Sequence, residues 1–149
     1  MYTKILIATD GSDLSTKALR HGLGLARLDG AKVVVMTATE PSMLYASSAG
    51  GMIMDTGQVI ADLERTNAEA ANHILEGAKK VAAEGQQTIE VLHVAERQTA
   101  DAILDTAKDQ KADLIVMGSH GRRGIGRLLL GSQAAEVLAR SSLPVLIVK

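Results

Sequence analysis

Leu114-Ile115-Val116-Met117 runs directly into Gly118-Ser119-His120-Gly121-Arg122-Arg123-Gly124-Ile125-Gly126-Arg127-Leu128-Leu129-Leu130-Gly131-Ser132. Four consecutive apolar residues with no polar alternate describe a strand covered on both faces, the condition of a parallel sheet. The glycines that follow let backbone N–H groups approach an anion with no Cβ in the way. The helix beyond them directs its free N–H groups and positive dipole end at the same point. Strand, glycine loop and helix in that order make a phosphate-binding unit, and this loop is the place to look for function.

The same apolar signature recurs at 5–8, 33–36 and 145–148, while the run at 88–94 alternates more and reads as an edge strand. Helical patterns separate these runs at 14–28, 60–83, 100–108 and 133–140. Ala18, Leu19, Gly22, Leu23 and Ala26 form one stripe at a spacing of three and four; Ile74, Leu75, Ala78, Val81 and Ala82 form another. The order β-α-β-α-β-α-β-α-β with right-handed crossovers predicts an α/β fold over residues 1–149: a single-domain, open, doubly wound, five-stranded parallel sheet with helices on both faces, Rossmann-like. Ligands bind such sheets beyond the strand C-termini, where the strand order reverses. Asp10 and Gly118 both fall just beyond strand ends, so they face one crevice if the first and fourth strands are neighbours.

At 149 residues the chain suits one core, burying about 70% of the surface its unfolded form exposes. Two tyrosines are the only aromatics, so that core is aliphatic. Sixteen basic against seventeen acidic residues leave no footprint for nucleic acid or an anionic membrane. There is no cysteine, which removes disulfides and thiol chemistry and fits a reducing compartment. No run reaches the length of a signal segment or a membrane span, so a cytoplasmic protein is expected, without membrane insertion. His21, His73 and His93 lack metal-ligand spacing and read as packing or surface residues. The stretch 41–59, with Met43, Met52 and Met54, has little periodicity; it reads as a lid, a partner surface or a plain insertion.

Known phosphate motifs narrow the reading. A Walker loop needs Gly-Lys-Ser or Gly-Lys-Thr, which the chain lacks. The dinucleotide fingerprint fails as well, because Gly22-x-Gly24 is followed by Arg27, and Gly124-x-Gly126 by Leu129, where a third glycine belongs. What remains is Gly118-x2-Gly121-x9-Gly131-Ser132. This spacing resembles the nucleotide signature of the universal stress protein family, in its ATP-binding branch. Lys4-Ile5-Leu6-Ile7-Ala8-Thr9-Asp10-Gly11-Ser12 looks like that family's first strand and acidic turn, Ala112-Asp113-Leu114-Ile115-Val116-Met117-Gly118 like its fourth strand, and Ser142-Leu143-Pro144-Val145-Leu146-Ile147-Val148 like its closing strand.

The resemblance implies a homodimer and a bound ATP. Ala8, Ala38 and Met117 would line the adenine pocket, with Ala38 where the family often has a larger aliphatic residue. Thr9 and Asp10 would meet the ribose, whose hydroxyls suit a carboxylate acceptor; alternatively Ser12 or Asp13 caps the helix and Asp10 is merely exposed. Gly118 and Gly121 would fold over the α- and β-phosphates. Gly131 and Ser132 would present N–H groups and a hydroxyl to the terminal phosphates, with Ser132 also readable as an N-cap. Gln133 and Ala134 would add backbone contacts. His120 would touch phosphate or ribose, and Arg122 and Arg123, with Arg127, would neutralise the triphosphate or stand solvated. Mg²⁺ would be held mainly by phosphates and water, and no residue reads as catalytic.

Three functions follow as expectations. The first is a nucleotide-dependent regulatory homodimer in stress response that engages an unidentified protein partner, with slow ATP hydrolysis or autophosphorylation at most. The second is an adenylyl-transfer or ATP-cleaving enzyme of related fold. The third is an interaction module without nucleotide. The dimer is expected through the C-terminal strand, where Val145-Leu146-Ile147-Val148 offers an apolar edge.

Overall fold

The computed structural model describes residues 1–42, 56–121 and 130–149. Among the described residues five strands, β1 (Lys4–Ala8), β2 (Lys32–Ala38), β3 (Glu90–Val94), β4 (Leu114–Gly118) and β5 (Val145–Val148), alternate with four helices, α1 (Asp13–Asp29), α2 (Thr56–Glu84), α3 (Thr99–Asp109) and α4 (Ser132–Arg140). All strand pairs are parallel and the order is β3-β2-β1-β4-β5. The doubly wound sheet and its element order are those the periodicity predicts. Residues 88–94 supply an edge strand, as their alternation implies, although it starts only at Glu90.

The order reverses between β1 and β4. Moving from β1 to β2 to β3, the chain returns each time over one face; from β3 it jumps past β1 to β4 and on to β5 over the other. Right-handed crossovers in opposite directions place their helices on opposite faces. One face accordingly packs α1 and α2, with Leu19, Leu23, Leu75 and Ala78, on Ile5, Ile7, Val33, Val35, Leu114 and Val116. The other packs α3 and α4, with Ala102, Ile103, Ala134 and Val137, on Leu6, Val34, Met36, Ile115 and Met117. Alternate residues of each central strand enter opposite cores, which is why no polar alternate appears in these runs.

At its N-terminal edge the β1–β4 pair is clasped by Asp113. Its carboxylate accepts from the Thr3 N–H (2.8 Å), the Thr3 hydroxyl (2.7 Å) and the Lys4 N–H (3.1 Å). Two starting points differ from expectation. The tail of the 41–59 stretch is already helical from Thr56, and Ser42 at its head is fully buried, its N–H and hydroxyl each 2.9 Å from the Glu96 carboxylate. Residues 43–55, with Met43, Met52 and Met54, lie outside the described residues. Among the described residues no helix is long and apolar enough to cross a membrane.

Candidate functional site

Two turns meet at the reversal point. The β1–α1 turn leaves the sheet at Thr9, whose N–H donates to Met36 O (2.9 Å) and whose hydroxyl lies 3.0 Å from that of Ser15. Gly11 takes φ +78°, a left-handed conformation that glycine adopts without strain. Its N–H reaches the Thr9 hydroxyl at 3.2 Å. Asp10 folds back so that Oδ1 accepts from the Ser12 N–H (3.0 Å), and Ser12 in turn caps α1 by accepting from the Ser15 N–H (3.2 Å). Of the two readings of this turn, Ser12 is the cap, and Asp10 is half-buried rather than merely exposed.

The second turn follows β4. Ser119 is buried and held on three sides: its N–H donates to Val148 O (2.8 Å), its carbonyl accepts from the Gly131 N–H (2.8 Å), and its hydroxyl lies 2.9 Å from His120 Nδ1. A Cβ on Gly131 would stand 3.0 Å from Ser119 O and 3.3 Å from His120 Cα, so the start of α4 touches this loop backbone to backbone. Gly131, not Ser132, is the N-cap, because Ser132 is already helical and no side chain closes the helix end. The consequence is chemical. The Gly131 N–H is spent on Ser119, while those of Ser132, Gln133 and Ala134, in the first turn, have no intrahelical acceptor and are the donors a phosphate would meet.

Parallel pairing of β1 with β4, in the register Ile5 with Leu114 through Ile7 with Val116, brings the two turns together. A Cβ on Gly121 would lie 3.1 Å from Asp10 Oδ2, which places the glycine loop against the acidic turn. Ala8 and Ala38 end β1 and β2, Met117 is the last residue but one of β4, and all three share the α3–α4 face. Gln133 has a task the sequence did not announce: its side-chain carbonyl accepts from the Ala100 N–H (2.9 Å), covering the start of α3, where Gln98 makes no side-chain cap. Arg122, Arg123 and Arg127 lie outside the described residues.

Sequence reasoning passed over Ser119, although it sits inside the quoted motif, because a buried serine leaves no periodic signal. His93, within β3, pairs with Thr39, just past the end of β2, at 2.9 Å, and burial lowers its pKa below the ordinary 6.5. Among the described residues no group of three or more His, Cys, Asp or Glu side chains could hold a metal ion.

Residues 1–149 match the model of the universal stress protein family. The chain is 36% identical to universal stress protein MJ0531 of Methanocaldococcus jannaschii, across all of this chain and 83% of that protein. Protein MJ0577, whose structure is solved, superposes with a TM-score of 0.83 at 28% identity, covering 100% of this chain and 96% of that one. A solved universal stress protein in complex with cAMP superposes at 0.67 with 32% identity, covering 99% and 97%.

Proposed function

This chain belongs to the universal stress protein family, and from that premise we propose that it binds ATP at the β1–β4 reversal as a nucleotide-dependent regulatory homodimer of the ATP-binding branch. One observation carries the reading: the Asp10 carboxylate and the Gly121 backbone are in contact range across the crevice, so one nucleotide can touch both. The cAMP complex of a relative supports an adenine nucleotide as the ligand class.

In this reading the adenine lies on the α3–α4 side against Ala8, Ala38 and Met117. The small Ala38 leaves the base loosely held. Thr9 and Asp10 take the ribose. Gly118 and Gly121 pass beneath the first phosphates, and the open N–H groups of Ser132, Gln133 and Ala134 face the last ones, where α4 adds its dipole. His120, whose Nδ1 is engaged by Ser119, offers Nε2 to the phosphates; Arg122 and Arg123 join from the loop. Mg²⁺ is held mainly by phosphate oxygens and water. The protein works in the cytoplasm through a regulatory protein partner. No catalytic residue is assigned, and hydrolysis is slow.

The test is to denature freshly purified protein and resolve the released nucleotide by anion exchange, alongside a Gly131→Val variant. ATP released from the parent protein and lost from the variant is the expected outcome, since the valine would press on Ser119 O and His120 Cα and displace the loop. A folded variant that binds ATP as the parent does would refute the assignment of the loop. Released ADP or AMP would instead raise turnover and the enzyme reading.

A further inference from the structure

A cleft of ≈ 380 Å³ opens between α1 and α2, on the sheet face opposite Ala8, Ala38 and Met117. Thr9, Asp10, Gly11, Thr16 and His73 give it a polar lining, and Leu19, Ile74, Ala78 and Val81 an apolar one. Its volume is in the range of small-molecule sites, which run from about 300 to 1,000 Å³. Asp10 therefore belongs to two places: its Oδ2 meets the glycine loop and the residue also lines this cleft.

Gly77 is the second observation. It lies inside α2 and lines the cleft, yet a Cβ there would meet no atom within 4 Å. Its φ is not in the left-handed region, so neither conformation nor internal packing calls for glycine, whereas helix propensity opposes it. The missing side chain leaves this part of the cleft lining bare.

We infer that the cleft receives a substituent carried on a ribose hydroxyl, so that this protein accepts adenine nucleotides acylated at the 2′ or 3′ oxygen as well as ATP. The inference rests on the nucleotide reading above. A ribose held at Asp10 has the base on the α3–α4 side and its hydroxyls at the cleft mouth. One hydroxyl donates to the carboxylate while the other bears the group, whose apolar body lies over Ile74, Ala78 and Val81. Sites that clasp both ribose hydroxyls in a closed pocket reject such nucleotides; an open extension of mixed polar and apolar lining admits them.

The probe is mant-ATP, ATP esterified on the ribose with N-methylanthranilate, titrated by fluorescence; the chain has no tryptophan to obscure it. Unmodified ATP is measured separately by calorimetry. Gly77→Leu fills the cleft, Ala70→Leu narrows it independently, and Gly24→Leu is the control, since a Cβ at Gly24 also meets nothing but the residue does not line the cleft. The expected result is enhanced mant fluorescence with the parent and Gly24→Leu, and mant-ATP weakened about tenfold or more by Gly77→Leu while ATP changes by less than about threefold. Mant-ATP affinity unchanged from the parent in both Gly77→Leu and Ala70→Leu overturns the inference, as does rejection of mant-ATP by a parent protein that binds ATP. Failure of ATP itself to bind overturns the nucleotide reading, and this inference with it.

Discussion

Asp113 carries more of the β1–β4 pairing than its half-exposed position suggests. Burial pushes its carboxyl pKa up, but the hydrogen bonds from Thr3 and Lys4 pull it down further, and the net value lies below the ordinary 3.8. Asp113→Ala should cost about 1 kcal/mol, the worth of charge-assisted hydrogen bonds discounted for exposure. A carboxylate with a lowered pKa contributes above its unfolded value and loses that contribution as pH falls through the folded value. His93 acts in the same direction at higher pH: its lowered pKa means that the unfolded chain binds the proton first, so stability declines once pH drops below about 6.5. Melting temperature measured from pH 8 to 3 should fall in two stages for the parent, with the lower stage flattened in Asp113→Ala. An unchanged acid limb would contradict the role given to this side chain. In the sequence, Asp113 looked like one more acidic residue before a strand, because its partners lie 109 and 110 positions away.

At the scale of elements, two helical glycines predict opposite outcomes for one substitution. Gly22 of α1 faces β1, and a Cβ there would stand 2.5 Å from Ile7 Cδ1, in a core where Ile7 has no exposure. Gly22→Ala should therefore destabilise by about 1–3 kcal/mol through overpacking, whereas Gly77→Ala should stabilise by about 0.5–1 kcal/mol through propensity alone. Chemical denaturation of the two variants reads the sign directly; a loss of stability in both would mean that the space before Gly77 is already filled. This contrast marks the limit of what periodicity conveys. Gly22 fell on the apolar stripe of its helix and its burial could be read, and all five strands and four helices were visible from their runs. The helix ends were less visible. The start of α2 at Thr56 was hidden because nothing in Thr56, Gly57 or Gln58 forms an apolar stripe, and α4 is capped by Gly131, whose role comes from touching Ser119 rather than from any side chain of its own.

For the whole molecule, the sheet leaves two edges, β3 and β5. Val145, Leu146 and Ile147 on β5 are only half-buried, and Leu138 on the adjoining α4 is 49% exposed. Pairing of this edge with a second copy would cover it. Light scattering at micromolar concentration should give twice the chain mass, and Ile147→Lys should shift it towards one; a parent protein that scatters as a monomer would remove the dimer from the proposal. The crevice was legible as two separate halves, an acidic turn and a glycine loop, but their meeting was not, since strand adjacency is a property of topology that no local pattern encodes.

That adjacency also orders events in time. β1 is made first and lies in the middle of the sheet, yet one of its two neighbours is β4, joined to it across almost the whole chain. During synthesis β1 can pair with β2 early and must then wait, one flank bare, until β4 emerges. Closing so long a loop is entropically slow compared with any local step. Even then the turn after β4 is tethered through Ser119 to Val148, at the end of β5. The crevice thus comes into being only when β5 docks, so its geometry reports that all five strands of the sheet are in place.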